Sequence, residues 1–205
     1  MKNYKILLYL IITLLPINMF GQNQSEESQD CNWFIGSSAF MLMTPILDPS
    51  PSFYQLRLGR NVSENGVVTI EAITWKYHQP LGIPYGDSYS DKTENYPGSV
   101  RGYGIGLAYQ HYIWKGLYTE IHATPFYQKY LNEKDEVIQT GFQLFTVLRV
   151  GYHVKLIGDK FFIEPSFAAT AWPINTNVPE SFKKLDNKWK DYFLVEPGLH
   201  FGYYF

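Results

Sequence analysis

The sequence has one cysteine, no surplus of positive charge and no long apolar run. Cys31 is the only cysteine among 205 residues, so no disulfide can form within the chain. Lysine and arginine number 17 against 19 acidic residues, which argues against a nucleic-acid partner. The longest apolar run, Ile6 to Leu15, is too short to cross a bilayer, and the mean hydropathy is slightly negative. Together these absences exclude a disulfide-rich scaffold and a bundle of transmembrane helices.

The N-terminus has the features of a secretory signal. Lys2 and Lys5 precede the apolar run, and a short approach to Gly21 follows. We therefore predict a cleaved signal peptide over residues 1–21 and a polar N-terminal segment over residues 22–31. Ser28, Gln29 and Asp30 precede Cys31 where a lipid-attachment motif needs an aliphatic and then small residues, so no lipid anchor is expected.

Aromatic residues are abundant, and the last fourteen residues concentrate them. The chain has 17 Tyr and 14 Phe, a content typical of proteins whose rings line membrane interfaces. With period two, one face of Tyr192 to Phe205 is wholly apolar or aromatic: Phe193, Val195, Pro197, Leu199, Phe201, Tyr203 and Phe205. The other face mixes small, polar and charged groups. A sequence that stops on such an aromatic is expected to have its end inside a sheet.

Eight segments of the chain read as strands, most of them with alternating faces. They are Asn32 to Thr44, Ser52 to Arg60, Val67 to His78, Val100 to Ile113, Leu117 to Tyr130, Ile138 to Lys155, Phe161 to Trp172 and Tyr192 to Phe205. The first alternates poorly, so its boundaries are open. The connections after the second, fourth and sixth strands are short, and the others are longer. This asymmetry, with an even strand number, predicts an all-β, eight-stranded antiparallel up-and-down transmembrane β-barrel over residues 32–205.

The signal, the alternation, the unequal connections and terminal Phe205 together resemble small outer-membrane β-barrel families of Bacteroidota-type bacteria, with OmpA/OmpX-like architecture and no periplasmic domain. The resemblance implies a location in the bacterial outer membrane, with outer-membrane lipid and lipopolysaccharide as surroundings. It also implies that the barrel assembly machinery reads the C-terminal strand, with Phe205 as its signal. The main alternative is a soluble lipocalin-like carrier with inverted faces. Its exterior would carry Gly102, Gly104, Gly106, Ala108, Gln143, Phe145 and Val147, a poor surface for water.

Charged residues lie on the predicted inner face of several strands. An eight-stranded barrel is just wide enough for side chains to fill, and charges buried there must be paired. We predict a salt-bridged plug, with Arg149 level with Glu120 and diagonal to Glu164. A narrow channel for protons or small solutes is the alternative function. The predicted cluster comprises Arg57, Glu71, Glu120, His122, Arg149, His153, Glu164, Glu196 and His200.

The long connection between the third and fourth strands alternates rings and acids, and these could stack on sugars or hold a cation. The outer-loop candidates are Tyr85, Asp87, Tyr89, Asp91, Glu94 and Tyr96. No calcium-loop spacing accompanies them. The rings of Trp172, Trp189 and Tyr192 are expected to lie in the membrane-interface belt.

The histidines lack the settings that catalysis or metal binding requires. Outer-membrane deacylases carry a His-x-Ser-Asn stretch and a Glu for attack on an acyl ester, and none of the five histidines lies in such a stretch. Those placed inside the barrel come from separate strands without metal-ligand spacing. We therefore expect neither enzyme activity nor a cofactor or metal. The predicted role is structural or interactive: a plugged barrel that presents long outer loops to an external partner.

Overall fold

The computed structural model describes residues 33–46 and 50–205. The predicted signal peptide (1–21), the polar segment (22–31), Cys31 and Asn32 lie outside the described residues. The described chain is all-β, and its strands are β1 (Trp33–Ser38), β2 (Tyr54–Ser63), β3 (Gly66–Tyr77), β4 (Ser99–Trp114), β5 (Leu117–Leu131), β6 (Val137–Tyr152), β7 (Val154–Leu156), β8 (Phe161–Asn175) and β9 (Tyr192–Tyr204). Two short helices, α1 (Asp87–Ser90) and α2 (Glu180–Asp186), lie in the long connections, and three short 3-10 helices accompany them, Ala39–Met43, Lys92–Glu94 and Ile157–Asp159.

All the strands form one antiparallel up-and-down sheet that closes on itself. Each strand pairs with the next in the chain, except that β6 pairs with β8 and not with β7, and β9 pairs with β1. The short β7 continues the register of β6 on β8 after His153, so β6 and β7 occupy one position in the ring. The hydrogen bonds thus run through eight strands, as the alternation predicts.

The two ends of this ring differ in their connections. Tight turns join β2 to β3 and β4 to β5, and residues 157–160 join β7 to β8. Phe205 lies at the same end, where its amide donates to the Trp33 carbonyl at 2.9 Å. We call this the turn end. The opposite loop end carries the connections at residues 39–46 with 50–53, 78–98, 132–136 and 176–191, so the predicted asymmetry is confirmed.

The first strand is shorter than its sequence suggests. β1 ends at Ser38, whose hydroxyl accepts a hydrogen bond from the Phe40 amide at 3.2 Å and caps the 3-10 helix Ala39–Met43. The prediction of strand from residue 39 to Thr44 is therefore wrong, because a serine oxygen at this position offers the backbone a helical alternative. Past the end of β1, the 3-10 helix Ala39–Met43 contacts β9 in place of a paired strand.

The last strand contains a bulge that breaks the predicted alternation. Val195 has a φ of +65°, and the register of β8 with β9 shifts by one residue there. An extra residue in one strand moves every later side chain to the other face. Leu194 is consequently 60% exposed on the outside, while Phe193 is half-buried, with its ring 5.1 Å from Tyr85. The predicted period-two assignment is wrong for residues 192–194 and holds from Val195, which is exposed, onward.

The two faces of the ring have opposite chemistry. Inward side chains that are at most 3% exposed include Arg57, Thr69, Glu71, Gln110, Glu120, Thr124, Gln128, Gln143 and Glu164. Outward side chains are large and apolar, and Ile105, Leu107 and Phe167 are each more than 60% exposed. Across the described residues, no helix is long and apolar enough to cross a membrane, which says nothing of crossing by strands.

Small residues on the inner face of β4 make room for the larger groups opposite. A Cβ on Gly106 would lie 2.1 Å from Thr124 Oγ1, and one on Gly104 would lie 2.9 Å from the Phe126 ring. These distances are below van der Waals contact, so the glycines are required by the close approach of neighbouring side chains.

We predict that Gly106→Val destabilises the fold by about 3 kcal/mol or more, because the added atoms overlap Thr124 and crowd the Ala123 carbonyl. Urea unfolding followed by tryptophan fluorescence measures the change. Ala123→Val adds similar bulk at an exposed outward position on β5 and is the matched control. Equal unfolding midpoints for the two variants would contradict this account of the β4 inner face.

Candidate functional site

The interior of the ring is filled by side chains in successive layers. At the turn end, Phe34, Val67, Phe162 and Tyr204 form an apolar cluster. The Phe34 and Phe162 rings meet edge to face, with centroids 5.2 Å apart. This layer separates the buried charges from the turn end.

Arg57 is the centre of the buried charges. Its guanidinium hydrogen-bonds the Glu120 carboxylate and lies 3.8 Å from carboxylate oxygens of both Glu71 and Glu164. Arg149, opposite Glu120 in the register of β5 with β6, places Nε 3.3 Å from Glu120 Oε1. Buried ion pairs therefore link the strands across the interior, and Arg149 is level with Glu120 as expected. The predicted diagonal position of Glu164 is wrong, because Arg149 lies opposite Ala168 on β8, and Glu164 is reached by Arg57 from across the ring.

Neutral side chains donate hydrogen bonds to two of these carboxylates. Gln55 Nε2 donates to Glu71 at 2.7 Å, and Gln110 Nε2 donates to Glu164 at 3.1 Å. Arg149 Nη1 donates to Ser166 Oγ at 2.9 Å. A buried charge costs several kcal/mol unless it is paired and hydrogen-bonded, and these bonds meet that requirement for the carboxylates of Glu71 and Glu164. We call Arg57, Glu71, Glu120, Arg149 and Glu164, with their histidine partners, the charge network.

Two of the predicted inner histidines join the charge network and one does not. His122 contacts the Glu71 carboxylate and Thr124 Oγ1, and His153 Nδ1 lies 2.8 Å from Glu164 Oε1. His200 is 5% exposed, and its Nδ1 has no hydrogen-bond partner among the described residues. Within the part of the chain that the structure describes, no three His, Cys, Asp or Glu side chains form a group that could hold a metal ion.

Glu196 lies at the edge of the charge network. It is half-buried on β9, one residue after the bulged Val195, and its carboxylate hydrogen-bonds Thr170. Arg149 is close enough to interact with it electrostatically. All nine residues predicted for the inner cluster therefore lie on the inner side of the ring. Glu196 and His200 are the two that do not belong to the charge network.

An aromatic layer lies on the loop-end side of the charge network. The Trp75 and Phe126 rings stack with centroids 6.0 Å apart, and Phe145 stacks on Trp172 at 6.3 Å with an interplanar angle of 5°. Trp172 is 5% exposed, so its predicted place in a membrane-interface belt is wrong. The regular alternation of β8 continues to this residue, so the indole lies on the same inner face as Glu164, Ala168 and Thr170.

The two longest connections pack together over the loop end of the ring. We call residues 79–98 and 176–191 the cap. Tyr96 and Phe182 form its core, with ring centroids 4.6 Å apart, together with Val100 and Tyr130 of the strands below. The two segments approach closely, since a Cβ on Gly82 would lie 2.1 Å from the Lys190 carbonyl oxygen. The cap is therefore a packed layer above the aromatic one.

Two of the six outer-loop candidates are internal to the cap. Glu94 is 6% exposed, pairs with Lys188 and accepts a hydrogen bond from Trp189 Nε1 at 3.2 Å. Tyr96 is 7% exposed and donates to Asp186 Oδ1 at 3.0 Å. Burial, with Tyr77 and Asp186 nearby, raises the pKa of Tyr96 far above its ordinary value, which keeps this donor protonated. Their assignment to an outer binding surface is corrected, because they join the two cap segments instead.

The other four candidates remain on the outside. Tyr85 and Tyr89 are 63% and 51% exposed, and their rings lie 6.0 Å apart. Asp87 and Asp91 are also exposed, and Asp91 accepts a hydrogen bond from the Thr93 amide at 2.9 Å. These four side chains lie on one segment of the cap and do not line the pocket of the other segment.

A pocket that sequence reasoning missed opens in the other segment of the cap. It has a volume of about 600 Å³ and is lined by residues of β8, α2 and the connection between β8 and β9. Trp172, Asn175, Asp186 and Asp191 contribute partly or wholly buried side chains to it. The density of Asn and Asp between residues 175 and 191 is the sequence signal, but similar runs are common in exposed loops.

Comparison of the chain with protein-family models, with curated proteins and with solved structures finds no match. The functional proposal is therefore built on the chain's own residues.

We predict that Arg57→Met lowers the free energy of unfolding by about 3–5 kcal/mol, because three carboxylates lose their shared cation in a buried site. The thermal unfolding midpoint of the folded protein in detergent measures the loss. Arg60→Met, three residues along β2, removes an exposed guanidinium that lies over the Trp33 ring, and it should cost less than about 1 kcal/mol. An unfolding midpoint no lower for Arg57→Met than for Arg60→Met would count against the central role of Arg57.

We also predict that Glu94→Ala loosens the cap. Loss of the acceptor for Lys188 and Trp189 should lower the free energy of local opening by about 1 kcal/mol, which corresponds to about fivefold faster trypsin cleavage after the lysines of residues 183–190. Asp87→Ala removes an exposed carboxylate from the same segment and serves as the control. The prediction fails if the two variants are cleaved at the rate of the unmodified protein.

Proposed function

We propose that the protein is a non-conducting β-barrel of a bacterial outer membrane that presents its cap to an external partner. The observation that carries this proposal is the distribution of side chains over the two faces of the ring. Charges are buried inside and large apolar side chains are exposed outside, which is the reverse of a soluble protein. The exposed apolar side chains are spread around the ring, and they include Leu56, Ile70, Ile105, Leu107, Ile121, Phe142, Leu148, Val150, Phe167 and Leu199. Soluble monomers rarely expose a continuous apolar surface of this extent.

The dimensions of the outer surface suit a bilayer. On β6 the outward residues run from Phe142 to Tyr152, a span of about 34 Å at ~3.4 Å per residue. With the usual barrel tilt of about 40°, this span covers about 25 Å, the height of the apolar band of outer-membrane barrels. Exposed rings lie toward both limits of the band, with Tyr103 and Tyr127 paired at the loop end and Trp33 at the turn end. Such rings are typical of the two membrane interfaces.

The filled interior supports a structural or interactive role over transport. A solute entering from the loop end would meet the cap, the aromatic layer, the charge network and the apolar cluster at the turn end in succession. A soluble carrier with an apolar interior is equally disfavoured, because the middle of the ring holds paired charges. The two longest loop-end connections form the cap. They are held as one packed unit, which suits the cap for binding a partner.

The rest of the proposal follows from the sequence. Residues 1–21 would act as the signal for export, and the apolar band would face outer-membrane lipid, with lipopolysaccharide around the cap. The C-terminal strand, ending at Phe205, would be the element that the barrel assembly machinery recognises. Bacteria of the Bacteroidota type are the proposed source.

The test combines membrane fractionation with electrophoresis. We predict that the unboiled protein from the outer-membrane fraction migrates differently from the boiled protein, as a closed detergent-resistant barrel does. Leu107→Lys places a charge in the middle of the apolar band. It should lower the stability of the folded, membrane-inserted state by about 2–4 kcal/mol, and so reduce the inserted fraction. Ile138→Lys, four residues beyond the loop-end limit of the band on β6, should cost about 0–1 kcal/mol and is the matched control.

A soluble periplasmic protein without a mobility shift would refute the membrane location. Equal effects of the two lysine substitutions would refute the proposed position of the band. Discrete current steps from the purified protein in planar bilayers would refute the closed interior and favour a channel.

A further inference from the structure

The pocket in the cap has the volume of a small-molecule site. Its volume of about 600 Å³ lies within the roughly 300–1,000 Å³ typical of such sites. It opens among exposed side chains, with Gln139, Asn177 and Asn187 on its rim, and Trp172 lies at its inner side. A molecule in this pocket would therefore be approached from the outside of the proposed barrel.

The side chains around the pocket suit a ligand rich in hydroxyl groups. Amides of Gln139, Asn175 and Asn187 can both donate and accept hydrogen bonds, and the carboxylates of Asp186 and Asp191 accept them. A sugar hydroxyl also donates and accepts, so these groups match it in both roles. Trp172, Pro173 and Val178 are the apolar residues that line the pocket, and apolar groups of this kind suit the C–H groups of a sugar ring.

The charge around the pocket disfavours an anionic ligand. Lys183 is the only cation among the described residues that line the pocket, and it pairs with Glu180. The carboxylates of Asp186 and Asp191 would repel a phosphate, a sulfate or an acidic sugar. A neutral saccharide needs no cation for binding and is not repelled by these carboxylates.

The walls of the pocket are held in place before any ligand arrives. Asp186 accepts from Tyr96 Oη at 3.0 Å and from Asn175 Nδ2 at 3.4 Å. The Trp172 amide donates to the Asp191 carbonyl at 2.9 Å, and Gln139 Nε2 donates to the Asn177 carbonyl at 2.5 Å. Fixed polar groups reduce the entropy lost on binding, which favours recognition of a flexible, well-hydrated ligand.

We propose that this pocket binds a neutral saccharide, as the end of a glycan or as a free oligosaccharide. The proposal deepens the proposed function, since it names the chemistry of the external partner, and it rests on the cap being presented outside the cell. Binding itself depends only on the folded cap and on the loop-end parts of β6 and β8 that line the pocket with it.

The test is a glycan array probed with the labelled full-length mature protein in detergent, followed by titration of the strongest neutral saccharide using tryptophan fluorescence. We expect at least one neutral saccharide to bind with a dissociation constant in the micromolar to millimolar range. Asn187→Ala and Gln139→Ala, each at an exposed rim position, should weaken binding about tenfold. Asn95→Ala, an amide of the cap outside the pocket, should leave the affinity within twofold of the unmodified protein.

The outcomes separate this proposal from the membrane location. An array without neutral hits, a preference for acidic glycans, or unchanged affinity in both rim variants would overturn the saccharide site. Saccharide binding that Asn187→Ala weakens, by a protein found to be soluble and without a mobility shift, would uphold the site while refuting the outer-membrane proposal.

Discussion

The pairing of Arg57 with three glutamates is the interaction on which the rest of the structure depends. A closed ring of eight strands has an interior only wide enough for its own side chains, and water cannot solvate charges placed there. Arg57 contacts Glu71, Glu120 and Glu164, each from a different strand, and so joins distant parts of the ring through its centre. Removal of this cation would leave several buried charges uncompensated at once.

The layers on either side follow from the same lack of space. Glycines on the inner face of β4 leave volume for Trp75, Phe126 and Thr124, so the aromatic layer can form directly beside the charges. The cap then closes the loop end, with Glu94 and Tyr96 of one segment joined to Lys188 and Asp186 of the other. The polar pocket exists because these bonds hold the second segment in a fixed shape.

The sequence predicted the charge network better than the cap. Arg57, Glu120 and Arg149 follow the strict alternation of β2, β5 and β6, so their inward direction and register could be read directly. Glu94 and Tyr96 lie in a loop, where no period links residue type to direction, and they turned out to be buried. Phe193 was misplaced because the bulge at Val195 shifts the alternation of β9 by one residue. Trp172 was misplaced because its ring type was given more weight than the regular alternation of β8, which directs it inward.

The sequence by itself determined the strand number, the closed antiparallel order, the unequal connections and which residues of regular strands face inward. It could do so because side chains alternate with period two, and turn residues mark the strand ends. Only the tertiary structure decided that Arg57 is shared by three carboxylates, that the two long loops pack into one cap, and that a pocket opens beside Trp172. These features depend on contacts between residues far apart in the chain, which no local pattern encodes.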